Sequence, residues 1–194
     1  LGFLEEAKGN DAKADQLYQQ CISHFANLGD ERAIAYAKSE LAIIAHAMND
    51  DASAIDYLMD CISSFRVLHE VDALVRAFLW LGLIWVDNQD LTGAAEQLGL
   101  ANSTAEGLSS PRLDAQIKYC TGHLELGSND HDAALCSFRD SMRIWRELNQ
   151  TERCVETIEG IAVVYHRKGD NERALHLATA ASEWRASHHR PTLP

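Results

Sequence analysis

Apolar and polar residues alternate along this chain with the period of an α-helix. Across residues 31–47 the apolar positions Ile34, Ala37, Leu41, Ile44 and Ala45 recur three and four apart, and Ile55, Leu58, Met59, Ile62 and Phe65 do the same across 51–68. Each set lines one face of a helix. Between them Met48, Asn49 and Asp50 read as a tight turn, matched by Lys8-Gly9-Asn10 and Lys168-Gly169-Asp170. Gly or Asn there supplies the left-handed residue that ends one helix, and the Asp or Asn that follows caps the next. The pattern predicts a helix from Glu31 to Ala47 and a second from Asp51 to Leu68.

This pair of helices is one unit of a repeat. Ala14, Ala54, Ala94, Ala134 and Ala174 stand 40 residues apart. Four places before them come Asn10, Asp50, Asp90, Asp130 and Asp170, each a helix-capping type. Twelve places before them come Gly2, Ala42, Gly82, Gly122 and Ala162, always small. Four places after them come Tyr18, Leu58, Leu98, Phe138 and Ala178, mostly bulky, and seven after them Cys21, Cys61, Ala101, Ser141 and Ala181, small again. Two helices cross closely where side chains are small, so the Gly/Ala column of the first helix is expected to meet the alanine column of the second. A lone hairpin cannot bury its apolar face, so neighbours must stack. Ten antiparallel helices follow, with turns near residues 9, 49, 89, 129 and 169.

Composition agrees. Apolar residues make up 46% of the 194, enough for a packed core. Ala and Leu outnumber β-branched and aromatic residues, and two of the three prolines lie in the last four positions, which favours helix throughout. With 17 basic and 29 acidic residues the formal charge is −12, which repels nucleic-acid phosphates and anionic lipid. No apolar run is long enough to span a bilayer, and the start lacks a basic leader and an initiator Met. The chain therefore reads as a piece of a longer protein. Cys21, Cys61, Cys120, Cys136 and Cys154, an odd count with no C-x-x-C, suit buried free thiols in a reducing cytoplasm.

The small, alanine, bulky and small columns at these spacings resemble the tetratricopeptide (TPR) repeat along the whole chain. The resemblance implies an all-α, right-handed superhelical solenoid of five TPR-like antiparallel hairpins. It would form a single domain over residues 1–194, with repeats near 1–30, 31–70, 71–110, 111–150 and 151–190. The period is longer than the family's usual 34, and only Pro111 matches the proline that often closes its second helix. Helix ends such as Phe65-Arg66-Val67-Leu68 and Trp145-Arg146-Glu147-Leu148 are similar to those of large LuxR-type and MalT-like bacterial regulators and related signalling ATPases.

Chemistry is not legible. Seven of the nine histidines stand apart without metal-ligand spacing, His188 and His189 are adjacent, and no H-E-x-x-H occurs. No phosphate loop, nucleophile elbow or desolvated carboxylate pair is recognisable, so no enzyme, cofactor or metal is expected. The family pattern instead implies a concave face built from the first helix of each pair. Tyr36 and Ile43 carry it in the second unit, Arg76, Leu79, Leu83 and Val86 in the third, and Tyr119, His123 and Leu126 in the fourth. Glu159, Val163 and His166 are their counterparts in the fifth. The lysine, arginine and asparagine set with which some TPR groups clamp a peptide carboxylate is missing. An apolar face of this kind suits a protein or peptide partner such as an amphipathic helix, unless curvature buries these positions as ordinary core. The leading expectation is a protein-binding regulatory or sensor arm of a cytoplasmic transcription regulator, with no direct nucleic-acid or membrane contact. A groove receptor for a small molecule or peptide, and a plain assembly scaffold, are the alternatives.

Overall fold

The computed structural model describes residues 11–188, and nine helices run through them with no strand among the described residues. They are α1 (Asp11–Leu28), α2 (Glu31–Ala47), α3 (Asp51–Leu68), α4 (Val71–Asp87), α5 (Leu91–Ala105), α6 (Pro111–Gly127), α7 (His131–Glu147), α8 (Thr151–Arg167) and α9 (Asn171–His188). The bounds of α2 and α3 are those the periodicity predicts. The tenth expected helix and the turn near residue 9 lie outside the described residues.

The turns share one construction. Asn49, Gln89, Asn129 and Gly169 adopt positive φ within the hairpins, and Gly29, His69 and Asn149 do so between them. The left-handed corner therefore recurs every 20 residues, twice as often as the turn pattern suggested. After each, a backbone N–H closes back on the carbonyl five residues earlier, as Asp50 N–H does on Ala45 (2.8 Å) and Gln150 N–H on Trp145 (2.9 Å). The expected caps are in place. Asp50, Asp90, Asp130 and Asp170 accept from the N–H of Ser53, Gly93, Ala133 and Arg173 at 2.9–3.2 Å. Asp30 does the same for Ala33.

The connection across residues 106–110 is different. Gly107 has φ +84° and lies just beyond the end of α5. Pro111 opens α6 at its first turn behind the Ser110 cap, and does not close the helix before it. The chain divides into two compact units here, one reaching Gly107 and one beginning at Leu108.

In the first unit the core is carried by α4, which buries Val75, Phe78, Leu79, Leu81, Ile84 and Val86, and by Leu41 and Ile44 of α2 with Leu58, Ile62 and Phe65 of α3. In the second unit Ala134, Leu135 and Phe138 of α7 form one cluster with Val164 of α8. A second cluster gathers Ala115, Ile144 and Trp145. The crossings add a bulky neighbour to the expected contact of glycine on alanine, which Gly82 makes: a Cβ there would lie 3.6 Å from the Ala94 carbonyl oxygen. A Cβ placed on Gly122 would lie 2.9 Å from the Phe138 ring, and one on Gly82 would lie 2.2 Å from Leu98 Cδ1. Each glycine is thus the hole for the bulky residue four places after the alanine. Ala134 and Ala94 remain fully buried, their small size letting that knob reach across.

Candidate functional site

The expected groove residues fall in both units, and each unit treats them differently. In the first unit the Tyr36 hydroxyl donates to Glu70 (3.1 Å), its ring lies 5.1 Å from Phe65, and Arg32 pairs with Glu70 at 2.7 Å. Desolvation, helped by the Glu70 bond, raises the Tyr36 phenol above its ordinary pKa. Arg76 is half-buried, its Nε 3.5 Å from Asp72. It opposes the burial that raises the carboxyl of Glu40. Ile43 and Leu83 are half-buried, while Leu79 and Val86 are buried core and offer no surface to a ligand. His46, near the end of α2, sits between Asp51 (2.7 Å) and Asp87 (3.2 Å), tying α2 to α3 and α4.

In the second unit Tyr119 and His123 are brought together, ring centroids 4.6 Å apart and edge to face. Both turn their rings on Phe138, at 5.8 and 5.1 Å. Leu126 packs on the same cluster. Burial, with the charge of Glu156 next, pushes the Tyr119 phenol upward. All three are half-buried, because their inner sides support the core.

Burial pushes the Cys61 and Cys120 thiols up to about 12, leaving them protonated and inert at neutral pH. No group of three or more potential metal ligands gathers among the described residues. No described helix is long and apolar enough to cross a membrane.

In the fifth unit the expected face, Glu159, Val163 and His166, lines a groove to which α9 adds residues that the sequence pattern did not single out. This groove of about 770 Å³ lies between α8 and α9. Its floor is apolar, made by Ala162, Val163, Ala174, Leu175 and Ala178. Its rim carries His166, Asn171 and Ser182, closed at one end by Arg185. That guanidinium grips Glu159 with two 2.8 Å hydrogen bonds, a fork geometry that fixes both side chains. Leu175 is 69% exposed and Val163 44%, both large apolar side chains facing outward. A readable signal existed: Ala178 stands in the column held by Tyr18, Leu58, Leu98 and Phe138.

No protein-family model matches the chain, and no curated protein matches it in sequence. Solved structures do match it in shape. A Rap protein complexed with Competence and Sporulation Factor aligns over 95% of this chain with a TM-score of 0.82 and 17% identity. This chain is a TPR-like helical-repeat array. BtubC from P. vanneervenii aligns over 100% of the chain (TM-score 0.67, 18% identity) and covers 80% of its own length. TPR-like repeats of a Podosopora anserina kinesin light chain align over 98% (TM-score 0.62, 14% identity), covering 94% of theirs. The chain spans about half, 52%, of the Rap protein's length.

Proposed function

We propose that this array binds a segment of another protein or a peptide, and that it serves as the regulatory or sensor arm of a cytoplasmic transcription regulator. The observation that carries the binding reading is the α8–α9 groove, where Leu175 and Val163 stand exposed over an alanine floor, whereas Leu135, one repeat before Leu175, is buried. Contiguous apolar surface of this kind marks an interaction site more often than a chemical one. The likeness to a Rap protein solved with a bound factor supports the same reading, as a fold suited to holding a partner. The surplus of carboxylates supports a protein partner over nucleic acid, because phosphate would be repelled.

Affinity capture with the purified chain tests this. The wild-type protein should retain a polypeptide that the folded Leu175→Asp variant does not. Retention of the same set by both would remove the groove from the proposal. The regulatory half is tested by deleting the repeats from the encoding gene and comparing transcripts. A changed set of transcripts is expected, and an unchanged one would leave a binding module without that role.

A further inference from the structure

Three arginines follow one another along the solvent face of α7. Arg139, Arg143 and Arg146 are all exposed and stand at i, i+4 and i+7, so they share one side of the helix. Half-buried Met142 lies among them, and with Glu147 these side chains line a surface hollow. Their charge is left largely open. Arg139 donates to the neutral Tyr165 hydroxyl (3.3 Å), and Arg143 reaches Glu147 through one contact of 3.3 Å between two exposed side chains. Among the described residues no carboxylate pairs with Arg139 or Arg146. By contrast Lys118, Arg153, Lys168, Arg173 and Arg185 each face an Asp or Glu of the same unit. The charge of the chain is also unevenly shared: residues 1–107 hold 6 basic and 17 acidic side chains, and residues 108–194 hold 11 and 12. The unit that carries the arginine row is therefore close to neutral, and the row is a local cationic surface.

We infer that the α7 arginine row docks an acidic helix of another polypeptide, with carboxylates at the same i, i+4, i+7 spacing and an apolar side chain set against Met142. Charge complementarity names the chemistry, and spacing names the shape. The row spans about 10 Å, from a rise of about 1.5 Å per residue. A helix laid along it brings its carboxylates to matching heights. An extended strand places same-side residues about 6.8 Å apart, and so falls out of step by the third guanidinium. Carboxylate suits guanidinium because the two can share a pair of parallel hydrogen bonds. Phosphate shares that chemistry, but a nucleic-acid chain also meets the carboxylate surplus of the same molecule, whereas a short helix need touch only α7. The chain's own ends do not supply the match. Residues 189–194 add Arg190 and no acidic side chain, and the carboxylates of residues 1–10 are the adjacent pair Glu5 and Glu6, which a helix does not place on one side.

The test uses two fluorescein-labelled, alanine-based helical peptides of the same composition. One carries glutamates at i, i+4 and i+7 with leucine at i+3, and the other spreads the same residues around the helix. Anisotropy titration against the full chain should show the row-matched peptide binding about tenfold tighter, the size expected of three exposed ion pairs. The triple variant Arg139→Gln, Arg143→Gln, Arg146→Gln should remove that advantage. The folded Leu175→Asp variant should keep it, so this reading and that of the α8–α9 groove fail separately. Circular dichroism verifies folding. If the triple variant does not fold, Arg143→Gln with Arg146→Gln, which leaves the Tyr165 contact in place, should reduce the advantage. Equal affinities of the two peptides, or an advantage that the arginine variants leave unchanged, overturn the inference. Tighter binding of a single-stranded oligonucleotide of equal charge through the same arginines assigns the row to nucleic acid and overturns it too. So does a concentration-dependent dimer that the arginine variants abolish, which assigns the row to a second copy.

Discussion

Phe138 is held between two glycines of different helices: a Cβ on either Gly122 or Gly160 would stand 2.9 Å from its ring. One side chain thus locks α6, α7 and α8 in the second unit. Gly→Ala within a helix ordinarily gains about 1 kcal/mol. Here the ring cannot retreat from one helix without striking the other, so Gly160→Ala should instead lose roughly 1–3 kcal/mol. Urea unfolding measures it. Adding Phe138→Leu should shrink that loss, and an additive double variant would contradict the packing.

Truncating the knob tests the same joint from the other side. Phe138→Ala empties a fully buried site touching three helices and should cost about 3–5 kcal/mol. Leu175→Ala, one repeat on and exposed, should change stability by less than about 0.5 kcal/mol. A similar loss at both would mean that the two faces are equally covered.

Glu40 gives the pH dependence a sign. Burial raises its carboxyl in the folded state, with Arg76 opposing. A raised acid contributes stability that is fully present below its unfolded value of about 4.3 and is lost as pH rises through the folded value. Glu40→Gln should therefore raise the melting temperature at pH 7–8 and leave it nearly unchanged at pH 4. Asp50 acts in the opposite sense. Its hydrogen bonds from the Ser53 side chain and N–H hold its carboxyl low, so its capping contribution persists above the ordinary Asp range and fades as pH falls through the folded value. An Asp50→Ala variant should lose most stability at neutral pH and converge with wild type in acid.

The thiols divide by burial. Cys136 is exposed, whereas Cys61 and Cys120 are buried with pKa values near 12. At pH 8 a maleimide should label Cys136 within the native protein and reach Cys61 and Cys120 only after denaturation. Mass spectrometry of labelled fragments checks this, and early labelling of Cys61 would contradict its burial.

Much of the fold was legible because it is local. Helical spacing marked the ends of α2 and α3, and the Asp column marked the caps, since both depend on residues within one turn of each other. What holds neighbouring helices together was read less well. Pairing Gly122 with Ala134 followed from both being small, but packing sets a hole against a knob, and the knob is Phe138. The groove was read least well. Leu79 and Val86 share the spacing of a surface stripe, and spacing cannot distinguish a stripe facing a partner from one facing the core. The open face was signalled by a mismatch within a column, Ala178 in the place of Phe138, and its meaning depends on which helix covers the equivalent site.

Site-resolved photo-crosslinking tests the binding claim most directly. Benzoylphenylalanine replaces Leu175 in one protein and Val67 of α3, 79% exposed, in another. The expected result is that the residue-175 probe yields a discrete adduct whose mass-spectrometric map falls on one amphipathic helical segment of another polypeptide, and that the residue-67 probe does not. Equal adducts from both positions, or none from residue 175, would contradict the assignment of the α8–α9 face as a binding surface.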